Sequence, residues 1–211
     1  MTDFKINFFK KLEQLNEEEY AEKFIGYLIS PVVTGIKPSS TITLNDTRRK
    51  IYSYWIENGH SILSQYNLEA ITLKESQDSI ILLVYDRYNL DEHLRLEKNK
   101  NFLCSYGYGD PIILEKCLNC LKNRVNGAAF PHESGIFLGI PSEDVVGFLN
   151  EEECLFEGYW KVYSNNYKVK EIFYLYEKSR EIYIFNTLRN KGKVIKNLFR
   201  DQKNLLYMPT N

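Results

Sequence analysis

Residues 130–163 read FPHESGIFLGIPSEDVVGFLNEEECLFEGYWKVY, and the fold class follows from this stretch. The apolar run 135–140 predicts a short strand after a loop. Pro141-Ser142-Glu143-Asp144 opens a short helix to Leu149, with Ser142 as cap and two acids in the first turn. Residues 159–163 (YWKVY) alternate as a strand does. Strand, helix and strand in one short stretch point to an α+β protein.

Upstream, Phe4, Phe8, Leu12 and Leu15 recur at helical spacing over 3–15. Asn16, followed by Glu17, Glu18 and Glu19, is a second start signal, and Pro31 is expected to stop that helix. Pro, Gly and Ser mark 30–44 (SPVVTGIKPSSTITL) as irregular. Asp46 or Thr47 is expected to cap a third helix, with Ile51, Tyr54 and Trp55 inward and Gly59 at its end. Residues 68–73 and 79–85 read as a β-hairpin, and the unbroken apolar run from Ile80 to Val84 predicts a central strand.

Asn89 or Asp91 is expected to cap the next helix. Another ends near Tyr106, and Pro111 opens a further one through Val125 with Cys117, Cys120 and Leu121 inward. Ser164 or Asn165 begins a helix carrying Val169, Ile172, Phe173 and Tyr176. Beyond Arg180 the chain reads as basic and mainly helical, broken near Gly192. The expected architecture is a single α+β domain over 1–211, with a small mixed or antiparallel sheet of about four strands packed by several helices. A helical pair over 1–29 and a helical segment over 177–211 flank a core at 30–176.

A hydrophobic fraction of 44% and a charged fraction of 26% belong to an ordinary globular chain. The formal net charge of -1 gives no electrostatic reason to expect nucleic acid or membrane partners. Charges interrupt MTDFKINFFKKLEQL throughout, so it does not read as a signal peptide, and no stretch approaches a membrane span. A cytoplasmic location is the expectation, with the four cysteines as reduced thiols. The 16 tyrosines lend themselves to a core and surface of amphipathic rings, or to a ligand-lined groove.

Three blocks, SPVVTGIKPSSTITL, FPHESGIFLGIPSEDVVGF and EGYWKVY, together resemble a bacterial family catalogued as domain of unknown function 3793, found mainly in anaerobic Firmicutes and their relatives. The resemblance spans about 30–176. It departs from the family pattern in the front block, where an Ala-Pro-Thr-Leu-Ala-Gly type opening is replaced by Ser30-Pro31-Val32-Val33-Thr34-Gly35, and at Ser134 and Ile140. The resemblance implies no reaction. It brings a loose link to redox and iron-related gene neighbourhoods, flavodoxins included.

Five constellations carry chemistry. His132 and Glu133 are candidates for proton transfer, with Asp144 nearby, although acids in a first helical turn also serve the helix dipole. Lys37, Ser39 and Ser40 in the TGIKPSS loop offer charge and hydroxyls to an anion, in a spacing that is not a P-loop. Cys117-Leu118-Asn119-Cys120 has redox spacing but lies mid-helix on an apolar face, as core thiols do, and four cysteines would also suffice for an iron-sulfur cluster. Alternation puts Tyr159, Lys161 and Tyr163 on one face of the YWKVY strand, leaving Trp160 and Val162 on the other. The basic run after Arg180 reads chiefly as a solvated face.

Two functional readings follow. In one, Lys37, His132, Glu133 and Lys161 converge on a small anionic ligand or cofactor, with Ser39, Ser40, Asp144 and Tyr159 assisting. His132 or Glu133 then moves protons. In the other, the chain is a non-enzymatic interaction or accessory protein in iron, haem or redox metabolism, with His132, His93 or a Tyr as an axial ligand. No metal ligand set is assigned, and the identity of any cofactor stays open. A small anionic molecule or a protein is the expected partner.

Overall fold

The computed structural model describes residues 3–127, 131–164, 168–189 and 196–200. Their elements run α1 (Asp3–Leu12), α2 (Glu17–Val33), β1 (Ser39–Asn45), α3 (Ile51–Ser64), β2 (Glu69–Glu75), β3 (Ser79–Tyr85) and α4 (Arg87–Leu94). Then come α5 (Glu97–Ser105), α6 (Leu114–Val125), α7 (Ser134–Phe137), α8 (Ser142–Leu149), β4 (Phe156–Glu157), β5 (Lys161–Val162) and α9 (Lys168–Leu188). The first three strands form an antiparallel sheet in the order β1-β3-β2, and β4 pairs antiparallel with β5. The fold is α+β. No described helix is long and apolar enough to cross a membrane.

Strand β3 organises the interior. Its side chains alternate between the two faces of the sheet, so a strand covered on both sides must be apolar at every position. Ile80, Leu82 and Val84 enter a core with Phe8, Ile25, Ile29 and Trp55 from α1, α2 and α3. Leu83 and Tyr85 enter a second core with Leu90, Leu103, Leu118, Ile136 and Phe137. A third cluster joins Ile36 and Val162 to Val169, Ile172 and Tyr176 of α9.

Several expected boundaries move, each for a local reason. Helix α2 does not stop at Pro31 but runs on to Val33. Proline has no N–H for the carbonyl one turn back, that of Tyr27. The Ser30 hydroxyl donates to that carbonyl instead, at 2.9 Å. Residues 39–45 are not irregular but form β1, whose burial alternates from Ser40 to Asn45. Helix α3 passes through Gly59, where a side chain would press within 2.7 Å of the Trp55 indole. Asp46 stands ahead of α3 and accepts from the Tyr52 and Ser53 amides, while Asp86, rather than Asn89 or Asp91, caps α4.

Helix α6 begins at Leu114, not Pro111, and α8 is preceded by Pro141, with Ser142 as its first residue. The expected strand over 135–140 is a helical turn, α7. Ile136 and Phe137 are both wholly buried, and a short run buried on all sides has no period to separate strand from helix. The YWKVY strand contracts to Lys161–Val162. Gly192 lies outside the described residues.

The replacement hydroxyl at the end of α2 carries a measurable load. Ser30→Ala strips the buried Tyr27 carbonyl of its donor and is expected to cost about 1–3 kcal/mol. A urea melt reads this as a lowered midpoint with an unchanged slope.

Candidate functional site

The site is built around one buried carboxylate. Asp144, in the first turn of α8, is 1% exposed. It accepts from the Trp160 indole N–H at 2.7 Å, the Tyr163 amide at 2.9 Å and the Ser164 amide at 2.7 Å. Charge-assisted bonds of this kind are among the stronger ones in proteins. They draw the end of the β4–β5 ribbon down onto α8. Close approach also needs Gly147, where a Cβ would sit 2.5 Å from the Cβ of Tyr163. Trp160 is propped from behind by Phe173 of α9, edge to face at 4.5 Å between centroids.

The opposite wall is the α7 turn. It is anchored from behind by the His93 Nε2 contact to the Ile136 carbonyl, at 2.8 Å, and by the Ser39 hydroxyl, which donates to the Phe137 carbonyl at 2.6 Å. Between α7, α8 and Trp160 lies a cavity of about 300 Å³, lined by Leu138, Ile140, Val145, Phe148 and Trp160, with His132, Asp144 and Lys161 among its polar groups. His132 and Lys161 are exposed. The His132 ring lies 4.9 Å from Phe148, and Lys161 faces Glu157 at 3.7 Å, a surface pair worth little on its own. The volume is at the small end of ligand sites, and the lining has the usual form of apolar walls with few polar groups.

The structure thus brings His132, Asp144 and Lys161 to one cavity and leaves the other candidates elsewhere. Glu133 turns away and is buried against α6, where it accepts from Arg124 at 2.9 Å and from the Tyr108 hydroxyl at 3.2 Å. Burial, with Glu133 adding its charge, pushes the Tyr108 phenol far above its ordinary range. Tyr159 leaves Lys161 and bonds Glu177 and Arg180 on α9, with its pKa raised mainly by burial. The two-residue strand β5 is too short to hold Tyr159, Lys161 and Tyr163 on a common face.

The TGIKPSS loop is tied to protein rather than open. Thr34 bonds the Ser179 hydroxyl at 2.7 Å, Gly35 takes the left-handed conformation at φ +79, and Ser39 and Ser40 are buried in β1. Lys37 does not line the cavity. Its ammonium lies over the Tyr176 ring at 5.1 Å. Burial, assisted by the Arg180 charge, lowers its pKa to about 8.

The four cysteines are free thiols, and no three His, Cys, Asp or Glu side chains among the described residues form a group able to hold a metal. Two features escape sequence reasoning. Leu138, Phe148 and Trp160 look like core residues, yet they line a cavity, and Phe148 is 41% exposed. The Arg124–Glu133 pair leaves no signal in spacing.

Lys37 gives a pH test with a definite sign. Its amine is protonated in the unfolded chain up to about 10.5 but loses its proton near 8 in the fold. The unfolded state therefore binds more protons between those values, and this group makes stability rise with pH across that window. Lys37→Met is expected to stabilise the protein by about 1–3 kcal/mol at pH 7. In denaturant melts the gap to the parent narrows towards pH 10; a gap independent of pH contradicts the assignment.

Comparison with known proteins adds a family. No curated protein and no solved structure matches the chain. A family model described as protein of unknown function (DUF3793) matches residues 25–199, wider on both sides than the span carried by the three sequence blocks. The chain belongs to that family of unknown function, DUF3793.

Proposed function

We propose that this is a cytoplasmic protein that binds a small amphipathic anion, an aromatic or branched apolar body bearing a carboxylate or similar group, in the α7–α8–Trp160 cavity. The observation that carries the reading is the convergence of His132, Asp144 and the adjacent pair Trp160 and Lys161 on one small apolar cavity. Leu138, Ile140, Val145 and Phe148 take the apolar body by removing its surface from water. Lys161 and, when protonated, His132 meet the negative head. Asp144 is occupied by three donors, so its role is to hold the wall rather than to touch ligand. His132, exposed beside the cavity, is the side chain there whose ring nitrogens can both donate and accept a proton.

The probe 1-anilinonaphthalene-8-sulfonate has the required form, an aromatic body with a fixed negative charge. It is expected to bind and brighten in the native protein. Leu138→Trp, which fills the cavity, abolishes the signal. Lys161→Met and His132→Ala each weaken binding about twofold to fivefold at low salt, and less at high salt. Binding that none of the three variants changes contradicts the proposal.

A further inference from the structure

We infer that the cavity between α2, α3 and α9 is a binding site for a neutral planar heterocycle of the nucleobase type. It shares no lining residue with the α7–α8–Trp160 cavity, so it is a second site. Glu22 and Lys23 reach it from α2. Ile62, Gln65 and Tyr66 come from the end of α3 and the turn after it, and Tyr183, Asn186 and Thr187 come from α9. The triplets 62, 65, 66 and 183, 186, 187 have the spacing that puts side chains on one helical face. The cavity measures about 340 Å³, which suits one small ligand.

The floor of the cavity is fixed, whereas the polar groups around it are not engaged. Ile62 and Tyr183 are both buried, and the Tyr183 phenol packs onto Gly26 of α2, where any Cβ would overlap its hydroxyl. Thr187 donates to the Tyr183 carbonyl at 2.8 Å. Glu22, Lys23, Gln65, Tyr66 and Asn186 make no side-chain hydrogen bond or ion pair among the described residues. The larger groove beside α4 is the opposite case. There Lys196 meets Asp86 at 3.1 Å, Arg95 meets Asp91 at 2.8 Å and Arg87 meets Glu69 at 3.5 Å. A ligand entering that groove must compete with ion pairs, and one entering the α2–α3–α9 cavity displaces none. A donor or acceptor left unpaired is costly once water is removed, so these groups favour a ligand that supplies their partners.

The lining selects the chemistry of that ligand. Glu22 and Lys23 cancel in charge, so no net charge draws an ion. Burial raises the pKa of Tyr66 and Tyr183, which keeps both rings neutral. The carboxamides of Gln65 and Asn186 each present a donor and an acceptor side by side, the pattern that pairs with the edge of a nucleobase. The Tyr66 ring offers a face on which a flat heterocycle stacks. A sugar ring, with hydroxyls spread around a puckered frame, matches the paired amide edge and the flat face less well.

The test is a titration of the nitrogen-15-labelled whole chain with adenosine, cytidine, uridine and glucose, read from backbone amide shifts. At least one nucleoside is expected to give saturable shifts at 22–23, 65–66 and 186–187, with a Kd of about 10 µM to 1 mM. Glucose at the same concentrations gives none. Asn186→Leu has no hydrogen bond to lose in the free protein, so it keeps the parent's urea midpoint, and it weakens nucleoside binding about tenfold. Tyr66→Leu weakens it about fivefold or more, and Tyr66→Phe, which keeps the stacking face, about threefold or less. Leu138→Trp leaves nucleoside binding unchanged, and Asn186→Leu leaves binding of the naphthalene sulfonate unchanged, so the two sites stand or fall separately. No saturable shift with any nucleoside, glucose binding as tightly as the nucleosides, or unchanged nucleoside binding in Asn186→Leu each overturns the inference.

Discussion

A carboxylate taken out of water must be matched by donors, or it raises its pKa and neutralises. Asp144 is matched by three, one just before β5 and two just after it. That requirement shapes the segment from α8 to the end of β5. It fixes the height of the ribbon over α8, the orientation of the Trp160 indole and the need for a glycine at 147. Without the clamp, the two-residue pairing of β4 with β5 would have little to hold it, since a short isolated hairpin is marginal in water. The wall of the cavity is thus a consequence of satisfying one buried charge.

The remaining support comes from behind. Strand β3 divides the apolar interior into two cores, and the second of these carries α7 on its surface. His93 and Ser39 hold the carbonyls of Ile136 and Phe137 in that turn, so α4 and β1 anchor its far end, while the backbone at His132 is held by local bonds such as Gly135 N–H to the His132 carbonyl. Functional side chains on irregular backbone need such outside anchoring to keep their geometry. On the far side, Arg124 and Tyr108 secure Glu133. Adjacent residues, His132 and Glu133, therefore serve opposite directions: one borders the cavity and the other fastens the turn to α6.

What could be read in the sequence follows from what kind of constraint was written there. The central position of β3 was legible because burial on both faces demands an unbroken apolar run. Asn16 was legible as a cap because its bond to the Glu19 amide is local. His132, Asp144 and Lys161 stood out as polar residues in an apolar segment, and they do meet. The direction of Glu133 was not legible, since it depends on Arg124 arriving from another helix. The surroundings of Lys37 were not legible for a similar reason: its loop has the residues of an anion site, and only the fold shows that Thr34 meets Ser179, Ser39 meets Phe137 and the Lys37 amide meets the end of α2. Nothing in Phe148 or Trp160 marked them as cavity wall, because apolar character does not distinguish a core from the wall of a cavity. Pro31 marked a helix end that a neighbouring serine made unnecessary.

The most direct test of the cavity and its Asp144-held wall is the pair of indole N–H resonances in a nitrogen-15 spectrum, followed during titration with 2-naphthoate. The chain has two tryptophans, and Trp55 is buried against Gly59 in the other core, away from the cavity. The predicted result is a saturable shift of the Trp160 signal with Trp55 unmoved, and loss of that response in Asp144→Asn. A Trp160 signal that stays fixed, or one that moves in step with Trp55, contradicts it.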